Sequence, residues 1–242
     1  MSPADTTESP LPADLRKIAL AVECFHKASL IHDDIEDNDA LRYGEKTLHE
    51  EHGTAVALNV GDLLIGEGYR LLAACKASPE AKAEMIRVAS EGQRELCRGQ
   101  GAELCWARNP QSLTQHQVLD IFRKKTAPAF EVALRVGALY AGVSAHEEVE
   151  DVLHVYSEAL GIAYQIRDDL SDLGDTGETN DIAGLRPSLL LAVAHEKAKE
   201  EQKELLASVW RRQLPAGVSV KDIEALYAEL GADLRAKTLL ET

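Results

Sequence analysis

Apolar residues recur every three to four positions along nearly the whole chain, and the alternating β-branched runs of strands are absent, so the pattern predicts an all-α protein. Helices are expected from about Leu15 to Asp37, Ala55 to Lys76, Ala81 to Ala107, Thr114 to Ala141, Glu147 to Leu173, Ser188 to Arg211 and Lys221 to Ala236. Pro79, Pro110, Pro187 and Pro215 fall in the breaks between them. Pro128 is the exception. It lies inside a helical stretch, where it removes a backbone hydrogen bond and predicts a kink beside Lys125-Thr126. Residues 1–12, rich in Pro, Ser, Thr and acid and without an apolar signal core, read as a loose tail, and residues 13–242 as a single helical domain with no linker.

On the first helix, Ile18, Val22, Phe25, Ser29 and Asp33 share one face, an apolar base and a small-residue step below a carboxylate. That face opens the string Asp33-Asp34-Ile35-Glu36-Asp37, and Asp168-Asp169-Leu170-Ser171-Asp172 repeats its DDxxD form. On a helix the first and last aspartates of each copy project from one side, one turn apart. Like charges at that spacing repel. A divalent cation between them removes the repulsion, and oxygen-only ligands select Mg²⁺, which keeps waters and takes phosphate oxygens as its remaining ligands. Two such clusters across a helical cavity would hold a metal-bridged diphosphate. The bland reading is two solvated acidic helix ends; two copies with one spacing, each after an apolar helical stretch, favour the metal.

The formal charge of −15 over 242 residues argues against nucleic acid or an anionic membrane as a partner, so an anionic substrate has to enter through metal. Cys24, Cys75, Cys97 and Cys105 have neither CxxC nor zinc spacing and read as reduced core thiols of a cytoplasmic protein. No apolar run is long enough to span a bilayer.

The chain resembles the trans-isoprenyl diphosphate synthase (polyprenyl synthetase) family from about Ile18 to Leu191. The resemblance is carried, in order, by Glu23 to Asp34, by Leu41-Arg42-Tyr43-Gly44-Glu45-Lys46-Thr47 against the family's LRRGxPT, and by Gly61-Asp62, Gly99-Gln100, Lys125-Thr126, Gln165 and Asp168 to Asp172. It implies an all-α bundle around a central cavity, usually a homodimer, with three Mg²⁺ ions on an allylic prenyl diphosphate. Asp33, Asp37 and Asp168 are the expected direct metal ligands, and Asp34, Asp169 and Asp172 ligands or their supports. Arg42 and Lys125 are expected on the diphosphate; Thr126 and Gln165 either orient the leaving group and help remove a proton or are satisfied buried polar side chains. Phe25, about 12 Å below Asp33 at 1.5 Å per residue, would floor a cavity suited to roughly C15 to C20, with Ser29 too small to obstruct it; the other reading of Phe25 is simple helix packing.

Departures fall mostly on the second substrate, isopentenyl diphosphate. The family's Gly-Lys-x-x-Arg-Pro segment is not found, which makes the chain N-terminally short relative to the family, and Tyr43 replaces the second arginine of the RRG pair. His26 matches another position near that site. Glu178 stands where the family has a lysine, and Arg186-Pro187-Ser188 represents a later phosphate-binding segment in which Arg186 keeps the charge. Three functions compete: condensation with isopentenyl diphosphate, the family default; allylic-only chemistry, as in a terpene synthase or phosphohydrolase; and a non-catalytic partner subunit of a full synthase.

Overall fold

The computed structural model describes residues 12–142, 147–171, 173, 186–211 and 213–241. In chain order these form α1 (Ala13–Asp37), a hairpin of β1 (Leu41–Arg42) and β2 (Glu45–Lys46), α2 (Leu48–His52), α3 (Thr54–Ala73), α4 (Pro79–Ala107) and α5 (Gln115–Tyr140). Then follow α6 (Glu147–Ser171), α7 (Leu189–Lys197), α8 (Glu200–Trp210), α9 (Val220–Glu229) and α10 (Ala232–Leu240). The all-α expectation holds. Among the described residues no helix is long and apolar enough to cross a membrane. The expected tail, residues 1–12, lies outside the described residues except for Pro12.

The chain divides into two units, Met1–Ala89 with Arg135–Ala145, and Ser90–Leu134 with His146–Thr242. The first is built on the pairing of α1 with α3. Ile18, Ala21 and Ala28 are buried on α1, and Ala57, Gly61, Gly68 and Leu72 on α3. Bulky side chains of α1 enter the gaps left by glycines of α3: a Cβ on Gly68 would lie 2.5 Å from Cε1 of Phe25, and one on Gly61 2.2 Å from Nε2 of His32. The order is reversed along the two helices, so they run antiparallel. Lys17 Nζ donates to the Ala74 carbonyl (3.1 Å) and the Lys76 N–H to Asp14 Oδ1 (3.1 Å), which ties the start of α1 to the end of α3. Phe25 turns its ring onto α3, edge-on to Tyr69 at a centroid distance of 5.0 Å. Because Phe25 is only half-buried, Phe25→Ala is expected to cost about 2–3 kcal/mol, less than the roughly 3–5 kcal/mol of a fully buried aromatic, read as a fall in melting temperature.

The second unit surrounds α7. Its run Leu189 to Ala194 is apolar on all sides and buried throughout, as a helix without a polar face must be. Val118 and Phe122 of α5, Ile166 of α6, Leu206 and Trp210 of α8, Ile223 and Tyr227 of α9 and Ala236 of α10 complete this core. Ser188 caps α7 by accepting from the Leu191 N–H (3.4 Å).

Several expectations need correction. The helix expected over Ser188 to Arg211 is two helices, broken at Ala198 and Lys199, both extended. The helix expected over Lys221 to Ala236 is also two, separated by Leu230 and by Gly231, which is left-handed at φ 62°. The two breaks are tied to each other: Lys197 Nζ, at the end of α7, donates to the carbonyls of Leu230 (2.9 Å) and Gly231 (3.2 Å), supplying a cation where helix carbonyls lack partners. The hairpin and α2 were not expected, since strands of two residues carry no alternation. Of the cysteines only Cys75 is core; Cys24 is half-buried and Cys97 and Cys105 are exposed. Pro128 sits within a continuous α5.

Candidate functional site

In the first unit the acidic end of α1 meets the hairpin. Asn38 closes α1 in the left-handed conformation (φ 57°), and Thr47 Oγ1 donates to the Asp39 carbonyl (2.7 Å), folding the hairpin back. Tyr43 (φ 54°) and Gly44 (φ 82°) form its two-residue turn, in which both positions need positive φ. The register places Arg42 beside the cluster. Its Nε donates to Asp34 Oδ1 (2.6 Å), and its Nη2 lies 3.7 Å from Asp33 Oδ2. Asp34 is 5% exposed. Burial raises its carboxyl above the ordinary value, against the opposing pull of Arg42. For Arg42, burial works against the charge, but the Asp34 hydrogen bond and the charges of Asp34, Asp33 and Asp39 hold the guanidinium above its usual value. Asp34 is therefore the anchor of Arg42, while Asp33 and Asp37 are half-buried. With Nε committed to Asp34, the remaining donors of Arg42 are those on its terminal nitrogens. His26 and Ser29 are exposed, and the Ser29 hydroxyl donates to the His26 carbonyl (2.8 Å) within its own helix. His32, whose Nε2 lies 3.6 Å from Asp62 Oδ1, explains the Gly61-Asp62 pair: the glycine makes room for the ring.

In the second unit α5 is gripped from both sides. A Cβ on Gly99 of α4 would lie 2.5 to 2.8 Å from the backbone of Lys124 and Lys125, and one on Gly161 of α6 2.7 Å from the backbone N of Ala127. Pro128 has no N–H to offer the carbonyl four residues back, that of Lys124, and the approach of Gly99 falls on that carbonyl. Two of the expected residues are joined across this crossing: Gln165 Nε2 donates to Thr126 Oγ1 (2.9 Å). Lys125 Nζ lies 3.2 Å from Oε1 of Glu103 on α4, a residue the sequence reading did not select. One turn beyond Gln165 the second cluster repeats the division seen in the first. Asp168 is exposed, whereas Asp169, 5% exposed, accepts from the Leu189 N–H (2.6 Å) and the Ser188 hydroxyl (3.4 Å) at the start of α7. This contact fixes the segment that carries Arg186, which is half-buried. Asp172 and Glu178 lie outside the described residues.

The profile of the polyprenyl synthetase family matches residues 4–230. The chain belongs to that family. Among the relatives of this chain, a short chain isoprenyl diphosphate synthase of Methanocaldococcus jannaschii is 31% identical over 211 residues, covering 85% of this chain and 62% of the relative. A farnesyl diphosphate synthase of Haemophilus influenzae is 30% identical over 218 residues, covering 84% of this chain and 72% of the relative. The crystal structure of geranylgeranyl pyrophosphate synthetase from Pyrococcus horikoshii superposes with a TM-score of 0.81 at 27% identity, over 94% of this chain and 70% of that one. The chain thus spans about three-fifths to seven-tenths of the length of these proteins.

The donor chemistry of both clusters suits Mg²⁺. Among the described residues no group of three or more His, Cys, Asp or Glu side chains is arranged to hold a metal. With Asp34 and Asp169 turned to anchoring roles, the first cluster offers Asp33 and Asp37 and the second, as far as it is described, Asp168. One or two carboxylates completed by water and substrate phosphate is the usual Mg²⁺ arrangement in phosphate chemistry.

Proposed function

We propose that this chain is a Mg²⁺-dependent prenyltransferase that ionises an allylic prenyl diphosphate and transfers the prenyl group to isopentenyl diphosphate. The observation that carries this reading is the common build of the two DDxxD strings, each with one aspartate buried as an anchor and an arginine held beside it or on the segment it fixes. Cleaving the allylic carbon–oxygen bond leaves a delocalised cation and a diphosphate, and the barrier falls when the diphosphate charge is neutralised beforehand. Bound Mg²⁺, up to three ions, supplies most of that neutralisation as a Lewis acid. Asp33 and Asp37 of the first unit and Asp168 of the second would be metal ligands, with Asp172 as a further ligand or support. Arg42, Lys125 and Arg186 bind diphosphate oxygens. Thr126 and Gln165, already hydrogen-bonded to one another, orient the leaving group and stand ready to receive a proton. The names of the relatives, isoprenyl, farnesyl and geranylgeranyl synthases, support short-chain products.

One observation favours the narrower, allylic-only reading. Tyr43 is 86% exposed at the tip of the hairpin, with no cationic side chain at that position to receive a second diphosphate. Calorimetric titration in Mg²⁺ is expected to give micromolar binding of an allylic diphosphate and much weaker binding of isopentenyl diphosphate. Comparable affinities would establish condensation and dismiss the narrower reading; no binding of either would remove the enzymatic reading altogether.

The homodimer is part of the same proposal. Val56 and Leu63, a heptad apart on α3 and both strongly exposed, form an apolar stripe suited to a second copy of the chain.

A further inference from the structure

The hairpin that carries Arg42 is short and strained. Its ladder has two pairs, Leu41 with Lys46 and Arg42 with Glu45, and its turn holds Tyr43 at φ 54°, where a side chain crowds the backbone and asparagine or glycine is the usual occupant. Strands of that length do not hold themselves. At the exit of β2, Thr47 is 2% exposed and fastened twice: its N–H donates to the Ala40 carbonyl (3.1 Å) and its hydroxyl to the Asp39 carbonyl (2.7 Å). The Asp39 N–H in turn donates to the backbone carbonyl of Asp34 (3.0 Å), the residue whose carboxylate receives Arg42. A closed circuit results, from Asp34 through Asp39, Thr47 and the hairpin back to Asp34.

The hydroxyl is used against its local preference. Thr47-Leu48-His49-Glu50 has the form of a capping box, and Thr47 is the N-cap of α2, where a threonine oxygen ordinarily accepts from the helix. Here it is turned to the base of the hairpin and donates there instead. We propose that Thr47 is a positioning residue for Arg42: its hydroxyl latches the hairpin in the register that aims the guanidinium, which deepens the reading above and rests on Arg42 being a diphosphate contact. Latch and turn strain oppose one another. Deleting the donor takes that partner from the Asp39 carbonyl and favours conformations in which Arg42 is displaced from Asp33 and Asp34. Affinity for a diphosphate then falls with the fraction of molecules that keep Arg42 in place, while bound ligand draws the hairpin back.

The test is calorimetric titration of inorganic diphosphate, with Mg²⁺, into the full chain and its variants, with thermal melts of each. Thr47→Val, which keeps the shape and deletes the donor, is expected to bind about fivefold more weakly than the parent, and Thr47→Ser, which keeps the hydroxyl, within about twofold of it. Adding Tyr43→Asn, which suits the turn, should bring Thr47→Val back to within about twofold of the parent. Arg42→Gln is itself expected to bind weakly, and adding Thr47→Val to it should change nothing further. In turnover, Thr47→Val should raise KM for the allylic diphosphate about fivefold with kcat nearly unchanged. A threonine that only supported the fold would lower the melting temperature and give neither the rescue by Tyr43→Asn nor the dependence on Arg42. Parent-like binding by a folded Thr47→Val, no rescue by Tyr43→Asn, or a further loss on top of Arg42→Gln overturns the proposal and leaves the role of Arg42 standing. If Arg42→Gln alone binds as the parent does, the role of Arg42 fails, and that of Thr47 with it. If the melts show Thr47→Val unfolded, Thr47→Ala, which deletes the same donor without bulk, carries the same expectation, and parent-like binding by it overturns the proposal equally.

Discussion

Asp33→Ala and Asp168→Ala are each expected to lower turnover of an allylic diphosphate by about three orders of magnitude while leaving the protein folded, the scale on which loss of charge stabilisation at a leaving group acts. Neither side chain is buried as a structural anchor: Asp33 is half-buried and Asp168 exposed. Their neighbours are expected to behave in the opposite way. Asp34→Ala strips the Arg42 Nε of its acceptor, and Asp169→Ala does the same to the Leu189 N–H at the head of the most buried helix. Each should cost about 2–4 kcal/mol of stability, the range for abandoning a buried donor or charge. Single-turnover rates and thermal melts of all four proteins separate the roles. Near-normal turnover by Asp33→Ala or Asp168→Ala would end the proposed mechanism; a stable Asp34→Ala or Asp169→Ala would end the assignment of anchors.

Gly99→Ala and Gly161→Ala are expected to destabilise the protein by about 2–3 kcal/mol each, although alanine is ordinarily the better helix former. The added methyl would meet backbone within 2.5 to 2.8 Å in both cases, and backbone cannot swing aside as a side chain can. Gly101, on the same helix as Gly99, has open space where its Cβ would be, so Gly101→Ala should instead stabilise by about 0.5–1 kcal/mol. Urea denaturation of the three variants reads the difference in sign directly. If Gly99→Ala proved as stable as Gly101→Ala, the close crossing of α4 and α5 would not exist in solution, and the ion pair of Glu103 and Lys125 would lose its basis.

Much of this was legible from periodicity and spacing alone. The first helix appeared almost to the residue because its apolar positions recur at steps of three and four, and the two DDxxD strings were found because identical spacing survives in the linear chain. What stayed hidden depends on partners far away in sequence. Asp34 and Asp33 look alike until the hairpin returns Arg42, and Asp169 resembles Asp168 until α7 arrives to use it. Glu103 reads as one acid among many on an amphipathic helix. The face of α1 that packs on α3 runs through Ile18, Ala21, Phe25, Ala28 and His32, not through Val22, Ser29 and Asp33, a shift that only the glycine gaps of α3 determine. The break at Gly231 did leave a sign, since a glycine near a helix end marks a left-handed cap, but the apolar rhythm continuing past it masked the signal.

The lysine at the end of α7 has a wider effect than joining two turns. By holding both carbonyls at the corner of α9 and α10, Lys197 couples the buried α7 to the last two helices of its unit. Fraying of the C-terminal segment is then resisted by the whole core, and the amide protons of α7 and α10 should exchange with solvent in a single cooperative opening.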